Sequence, residues 1–145
     1  MNWKLIFILS LFGVAMGVAS LFGLTGKMEP ILWLVIFILY AYWIAKHAQS
    51  KHFLHGLLVS VLNGIWISVI HAAFSSTYFA NNPEMLEGFR KLPRSFSPQA
   101  MMLVTGPLIG AATGLIAGLL AVIAAKILAK RSVQVNVPSA ENPSP

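Results

Sequence analysis

The sequence predicts an all-α integral membrane protein, a four-helix bundle with a short amphipathic helix between its third and fourth spans. The composition indicates the membrane, since 57% of the 145 residues are hydrophobic and only 10% are charged. A water-soluble domain carries roughly 25% charged residues, and the mean hydropathy here is +0.77. The second observation is that the charged residues leave four long stretches without any charge. Both observations exclude a water-soluble domain.

The four charge-free stretches are 5–24, 31–45, 53–74 and 100–125. A helix needs about 20 apolar residues to cross the hydrocarbon core. In lipid, only helices or closed barrels satisfy every backbone polar group, and the alternating pattern of a barrel strand is absent. We therefore expect one domain, 1–131, with spans near 5–24, 29–48, 53–74 and 100–128, followed by a disordered polar tail, 132–145.

The second span is the shortest, because 15 residues cover only about 22 Å. Pro30 suits a first helical position and Lys46 can extend to the interface, so the crossing is predicted over 29–48. Trp33 lies too near the middle for an interfacial belt, so either it packs inside the bundle or the membrane is thin there. We expect an aromatic belt at the far end of the span, at Tyr40, Tyr42 and Trp43.

The first span has an alternative interpretation as a signal peptide. Gly17-Val18-Ala19 before Ser20 resembles a cleavage site for a small-residue-specific peptidase. The apolar stretch exceeds the usual core of about 7–15 residues, and Lys4 is the one basic side chain before it. Retention of the span is therefore favoured, and cleavage would leave three spans.

The basic residues predict the orientation. Four spans place both termini and the middle loop on one side, which carries six basic residues against four on the other. Basic residues favour the cytoplasmic side, so we expect cytoplasmic termini in a cell membrane, of the bacterial inner-membrane type. The six are Lys4, Lys46, Lys51, Lys126, Lys130 and Arg131; the four are Lys27, Arg90, Lys91 and Arg94.

Small residues mark one face of the last span. Glycine recurs there at every fourth residue, which places the glycines on one helix face where another backbone can approach closely. The pattern resembles the glycine zipper of packed and oligomeric membrane helices. Leu108, Leu115, Leu119 and Val122 lie opposite and are expected to face lipid. The four recurring glycines, expected to pack against another helix, are Gly106, Gly110, Gly114 and Gly118, and the flat stripe comprises Gly106, Gly110, Thr113, Gly114, Ala117, Ala121 and Ala124.

Two further helices carry small or polar faces, so the three faces predict a tight bundle. Packing within one chain is favoured over packing between chains, although both remain open. The first span offers Ser10, Gly13, Gly17 and Ser20, and the third offers Gly56, Ser60, Asn63, Gly64, Ile67 and His71.

The connection between the third and fourth spans predicts a surface helix. Asn82 is expected to cap it, Pro83 to begin it and Glu84 to follow. Ser97 and Pro98 similarly predict the start of the last span, and Pro107 is expected to kink that span near Leu103. The surface helix has an apolar face, Met85, Leu86, Phe89 and Leu92, and a charged face, Glu84, Glu87, Arg90 and Lys91.

Ser60, Asn63 and His71 are the candidate polar lining of the third span. Polar groups inside a span indicate a functional site by default, because lipid penalises them. The ordinary interpretation is interhelical hydrogen bonding, with Ser68, Ser75 or a hydroxyl on a neighbouring helix, such as that of Thr105, as the expected partner of His71. The alternative is a polar path or ligand pocket. The two interpretations remain open.

Other chemistry is not supported. The chain has no Cys and no Asp, and none of its four Glu lies within a charge-free stretch. Without a nucleophile, base and orienting group we expect no enzyme, no catalytic residue and no cofactor. Histidines 47, 52 and 55 lack neighbouring acidic ligands, so they predict interfacial residues rather than a metal site. The basic residues are dispersed at helix ends, which argues against nucleic-acid binding.

In length and span count the chain resembles the small multidrug-resistance exporters. Those proteins depend on a carboxylate in the first span, which 5–24 lacks, so their activity does not carry over. The four-span layout and the Asn81-Asn82-Pro83-Glu84-Met85 loop also resemble uncharacterised small four-helix bacterial membrane proteins, a likeness that implies no activity.

Two functions follow as expectations. The first is a structural or accessory membrane protein whose small-residue faces mediate packing or assembly, with the lipid bilayer, a second copy or another membrane protein as partner. The alternative is a small transporter or channel subunit with Ser60, Asn63 and His71 as its polar lining. A water-accessible path along the third span would distinguish them.

Overall fold

The computed structural model describes residues 1–91 and 97–135, and these residues form helices and no strands. Four of the helices are long and apolar enough to cross a membrane, which confirms the predicted fold class. The helices are α1 (Trp3–Leu21), α2 (Glu29–His47), α3 (His52–Ala73), α4 (Ser75–Asn81), α5 (Pro83–Arg90) and α6 (Pro98–Val135), with a single 3₁₀ turn at Gly26–Met28 before α2.

Helix α3 is the centre of the bundle. It packs most extensively on α6 and next on α1, whereas α2 lies mainly against α6. Side chains of four helices meet in the hydrophobic core, and the fully buried ones include Ile6, Tyr40, Ile44, Val59 and Ala117. The outer surface is also apolar, as lipid requires. Leu108, Leu115 and Leu119, expected to face lipid, are all more than half exposed.

Helix α1 ends at Leu21 rather than at residue 24. Gly23 adopts a left-handed conformation with φ of +68°, which ends helical geometry. Its N–H donates to the Ser20 carbonyl at 3.0 Å, and the Leu24 N–H donates to the Ala19 carbonyl at 3.0 Å. The helix therefore closes on a glycine turn, and the apolar residues up to 24 continue past its end.

The segment between α3 and α6 holds two short helices where the sequence predicted one. The predicted amphipathic helix is α5, and α4 precedes it. The expected side-chain cap at Asn82 was wrong. Its amide instead donates to the carbonyls of Ser20 and Tyr78, at 3.0 and 2.9 Å, while the Asn81 amide donates to the Leu21 carbonyl at 3.3 Å. Both side chains thereby bind carbonyls at the end of α1, which lack helical partners.

Helix α6 begins as expected and ends later than expected. Ser97 accepts the Ala100 N–H at 3.2 Å, so it caps the helix. The helix continues through Pro107 to Val135, so the predicted disordered tail at 132–145 was wrong for its first four residues. Residues 136–145, and Leu92 and Arg94 of the connection, lie outside the described residues.

Candidate functional site

The small-residue face of α1 packs on α3. A Cβ added at Gly13 would lie 2.6 Å from both Cα and Oδ1 of Asn63, and one at Gly17 would lie 3.0 Å from Cδ1 of Ile70. Ser10 accepts a hydrogen bond from Trp66 Nε1 at 3.2 Å. All four predicted residues of the α1 face are buried: Ser10, Gly13, Gly17 and Ser20.

The four glycines of α6 lie against α3 within the same chain. Added Cβ atoms at Gly106 and Gly110 would each come 2.5 Å from a backbone oxygen of α3, that of Gly64 and of Ser60 respectively. Those at Gly114 and Gly118 would lie 3.0 and 2.8 Å from the backbone oxygens of Leu57 and Phe53. Any side chain larger than hydrogen would therefore force α3 and α6 apart.

Beside this close contact, one half of the bundle contains a half-open cavity of about 700 Å³. Its walls are the first half of α2, the second half of α3 and the first half of α6. Tyr78 of α4 and Met85 and Phe89 of α5 border it at the end of the bundle where α2 begins. The surface of the cavity is mostly apolar, which is typical of ligand pockets.

The three predicted lining residues, Ser60, Asn63 and His71, all border this cavity. They lie along α3 over 11 residues, or about 16 Å at 1.5 Å per residue. His71 is near the end of α3, while Ser60 and Asn63 are at the middle of the helix. Three further hydroxyl groups, of Ser68, Thr105 and Thr113, also line the cavity. The polar lining thus extends from the bundle end to its middle.

Asn63 joins three helices. Its Oδ1 accepts the Gly13 N–H of α1 at 3.0 Å, and its Nδ2 donates to the hydroxyl of Tyr40 on α2 at 2.6 Å. Tyr40 has no solvent exposure, so its predicted place in an interfacial belt was wrong. Tyr42 and Trp43 are nearly half exposed at that end, where the Lys46 ammonium lies 5.9 Å from the Tyr42 ring.

His71 lies between α1 and α4. Its Nε2 is 2.8 Å from the Ser20 hydroxyl oxygen, and its ring stacks on Tyr78 with centroids 4.0 Å apart. A hydroxyl on a neighbouring helix is thus the partner, as one of the expectations had it, but it belongs to Ser20 and not to Thr105, and the expected partners Ser68 and Ser75 were wrong. Ser68 and Thr105 instead donate to backbone carbonyls of their own helices, so His71 is free to bond across to α1.

Ser60 is the exception among the polar groups. Its side chain is 2% exposed, and its Oγ has no hydrogen-bond partner within residues 1–91 and 97–131. No other buried side-chain nitrogen or oxygen in that part of the chain is left unpaired. A buried unsatisfied hydroxyl costs about 1–3 kcal/mol. Ser60 borders the cavity but its Oγ is covered, so a polar atom of a bound solute would reach this hydroxyl only after a small displacement of the wall.

Glu29 is a cavity residue that sequence reasoning missed. It is the first residue of α2, and its carboxylate accepts hydrogen bonds from Thr25 Oγ1 at 3.1 Å and from Trp33 Nε1 at 3.4 Å. Trp33 is partly buried and packs against the hydrophobic core, with its ring 5.8 Å from that of Phe37. The spacing Thr25, Glu29, Trp33, one helical turn each, was the signal that could have revealed this cluster.

The negative charge of Glu29 affects the Tyr78 phenol, another residue that lines the cavity. Burial raises the pKa of the Tyr78 phenol above its usual value, and the negative charges of Glu29 and Glu84 raise that pKa further. Tyr78 is therefore a neutral phenol at the border of the cavity. The site combines an apolar wall, hydroxyl and amide groups at its middle, and one carboxylate at the end bordered by α4 and α5. This arrangement can bind a solute.

The histidines at the opposite end make local hydrogen bonds. His47, His52 and His55 each lie 2.9–3.0 Å from the carbonyl oxygen four residues earlier. The buried His55 also accepts the Asn2 N–H at 3.0 Å, beside a smaller cavity of about 370 Å³. Across the described residues, no three His, Cys, Asp or Glu side chains converge in a metal-binding group.

The fold and the site define a helical membrane protein with an internal cavity in one half of the bundle. Comparisons with protein-family models, with curated proteins and with solved structures find no match.

Proposed function

We propose that this protein is a multi-pass membrane protein that binds a small, largely apolar solute in the α2–α3–α6 cavity, as a small transporter or channel subunit does. The observation that carries the proposal is the cavity itself, with Ser60, Asn63 and His71 along one wall. Cavities of about 300–1,000 Å³ with few polar groups are typical of small-molecule sites.

The distribution of polar partners supports solute binding. Asn63 and His71 are held by Tyr40 and Ser20, so the wall is rigid without a ligand. Ser60 remains unpaired at the middle of the same wall. A packing role alone would favour an apolar or paired residue there, because an unsatisfied hydroxyl destabilises the bundle.

The orientation proposed from the basic residues places both termini in the cytoplasm of a cell membrane, of the bacterial inner-membrane type. The cavity borders α4, α5 and the start of α2, at the end opposite the termini. On this orientation that end of the cavity lies toward the outer side. A solute would enter from outside, and the close contacts of Gly114 and Gly118 with α3 would close the inner half.

An accessory role through assembly stays a prediction, as does the assignment of a glycine zipper to the last helix. The main support for an assembly role is the small-residue face of the last helix. The contacts of Gly106, Gly110, Gly114 and Gly118 with α3 occupy that face inside the chain. Assembly with a second copy or another membrane protein would therefore use other surfaces.

Cysteine labelling tests the proposal, because the chain has no native cysteine. The variants Ser60→Cys and Ile67→Cys place thiols on the cavity wall, and Asn63→Cys places one at its middle. Each is treated in membrane vesicles with a small, charged thiol reagent. The control is Ser10→Cys, the same substitution at a fully buried serine that does not line the cavity.

We expect the cavity thiols to react and the Ser10→Cys thiol to stay protected. Asn63→Cys loses two hydrogen bonds, so Ser60→Cys and Ile67→Cys decide the result if that variant fails to fold. Equal protection of Ser10→Cys, Ser60→Cys and Ile67→Cys would contradict a solute-accessible cavity.

A further inference from the structure

The Glu29 carboxylate, at the end of the cavity bordered by α4 and α5, has no charged partner among the described residues. Glu29 accepts hydrogen bonds from Thr25 and Trp33, and no ion pair accompanies them within residues 1–91 and 97–131. A carboxylate has about four acceptor sites on its two oxygens. Two neutral donors therefore leave both its charge and part of its hydrogen-bonding capacity unused.

Aromatic rings surround the space that this carboxylate faces. Trp33 and Phe37 line it from α2, Tyr78 from α4 and Phe89 from α5. Cations are attracted to the faces of such rings at about 6 Å or less from the ring centre. Carboxylate and rings together favour positive charge at this end of the cavity.

The same lining disfavours a metal ion or an anion. Calcium requires six to eight oxygen ligands and magnesium retains a shell of water, whereas this wall offers one carboxylate among apolar rings. An anion would meet the charge of Glu29 directly. An organic ammonium ion carries its charge on an apolar body, so both parts find complementary surfaces here.

We propose that the cavity recognises an organic cation, a substituted ammonium, whose charge is bound by Glu29 with Trp33 and Tyr78 and whose apolar body extends toward Ser60. This inference rests on the proposed function, because it names the class of solute that the cavity takes. Glu29 is then a binding residue, in addition to its favourable position in the first turn of α2.

The test uses two probes of nearly equal shape. Benzyltrimethylammonium carries a positive charge, and neopentylbenzene is its neutral carbon analogue. Binding of each to the purified full chain in detergent is measured by titration calorimetry, with titrations into detergent alone subtracted. The variants are Glu29→Gln, which removes the charge, Glu29→Asp, which keeps it, and Glu87→Gln, which neutralises an exposed carboxylate of α5 outside the cavity lining.

We expect saturable binding of the cation, weakened at least about tenfold by Glu29→Gln, retained in part by Glu29→Asp and unchanged by Glu87→Gln. Binding of the neutral probe should be the same in all four proteins, which also shows that Glu29→Gln leaves the cavity intact. Should Glu29→Gln fail to fold, the comparison of the two probes in the unaltered protein and in Glu29→Asp decides the matter.

Equal binding of both probes, or cation binding unaffected by Glu29→Gln, would overturn the inference and leave the proposed function standing. Failure of the cation to bind at all would also overturn it. The proposed function itself fails only if, in addition, the thiols of Ser60→Cys and Ile67→Cys are as protected as that of Ser10→Cys.

Discussion

The side-chain oxygen of Asn63 accepts the backbone N–H of Gly13 at 3.0 Å, across the contact between α3 and α1. The approach requires glycine, because a Cβ at residue 13 would occupy the position of the Asn63 side chain. The other end of the same amide donates to Tyr40. One amide at mid-membrane thus links α1, α2 and α3 beside the cavity.

Replacing Gly13 with alanine should destabilise the bundle. The added methyl group would lie 2.6 Å from Asn63 Cα, a backbone atom that cannot move aside by rotation. We expect a loss of about 1–3 kcal/mol, as for overpacked sites, measured by unfolding in mixed detergent micelles.

Gly88→Ala is the control for that experiment. A Cβ at Gly88 of α5 meets no heavy atom of the described residues within 4 Å. Alanine there should be neutral or stabilise its helix by up to about 1 kcal/mol. Equal unfolding free energies for Gly13→Ala and Gly88→Ala would contradict the close contact of α1 with α3.

The bond between Asn63 and Tyr40 should give a measurable coupling energy. Asn63→Leu and Tyr40→Phe each leave the other polar group buried and unpaired. The double variant removes both groups, so it should be less destabilised than the sum of the single variants by about 0.6–2 kcal/mol. A double-mutant cycle on unfolding free energies measures the difference, and strict additivity would contradict the contact.

The contact of α6 with α3 should be sensitive to side-chain size on one face only. Gly110→Val would force the valine side chain against the Ser60 carbonyl, so we expect severe destabilisation or failure to fold. Ala112→Val is the control, since Ala112 is exposed on the same helix two residues later. The yield of monodisperse protein and its unfolding free energy report both, and a harmless Gly110→Val would refute the packing described here.

Ser60 and Ser10 should respond in opposite ways to alanine. Ser60→Ala removes an unpaired buried hydroxyl, so stability should stay equal or rise by about 1 kcal/mol. Ser10→Ala removes the acceptor of the Trp66 indole N–H, so stability should fall by about 1 kcal/mol. If Ser60→Ala costs as much as Ser10→Ala, the Ser60 hydroxyl has a partner and is not available to a solute.

The spans and their small faces were accessible from sequence because lipid imposes strict rules. Long charge-free stretches must be helical, and small residues about one helical turn apart mark a helix face. The predicted face of α1 is buried throughout, and that of α3 is buried except at Ile67. Ser60, Asn63 and His71 could be singled out from sequence because polar residues are costly within a span, and all three border the cavity.

The missed features depend on tertiary contacts between distant residues. Tyr40 is buried because its hydroxyl accepts a hydrogen bond from Asn63, 23 positions later, and no local pattern in the sequence predicts that contact. Glu29 stands at a helix start, where an acidic residue is ordinary, and only the packing of α2 against the other helices turns it toward the cavity. Helix α4 has no marked periodicity, and its position follows from the Asn81 and Asn82 bonds to α1.

Two residues on opposite faces of α6, two positions apart, provide the most direct test of a cavity within the bundle. Thr113 lines the cavity, whereas Leu115 is 53% exposed on the outer surface. Nitroxide labels at Thr113→Cys and Leu115→Cys, in lipid vesicles, are compared for relaxation by a water-soluble nickel chelate and by oxygen. We predict that the chelate relaxes the label at 113 more strongly and that oxygen relaxes the label at 115 more strongly. The same oxygen-dominated profile at both positions would mean that lipid alone surrounds this helix at 113, and the cavity account would be wrong.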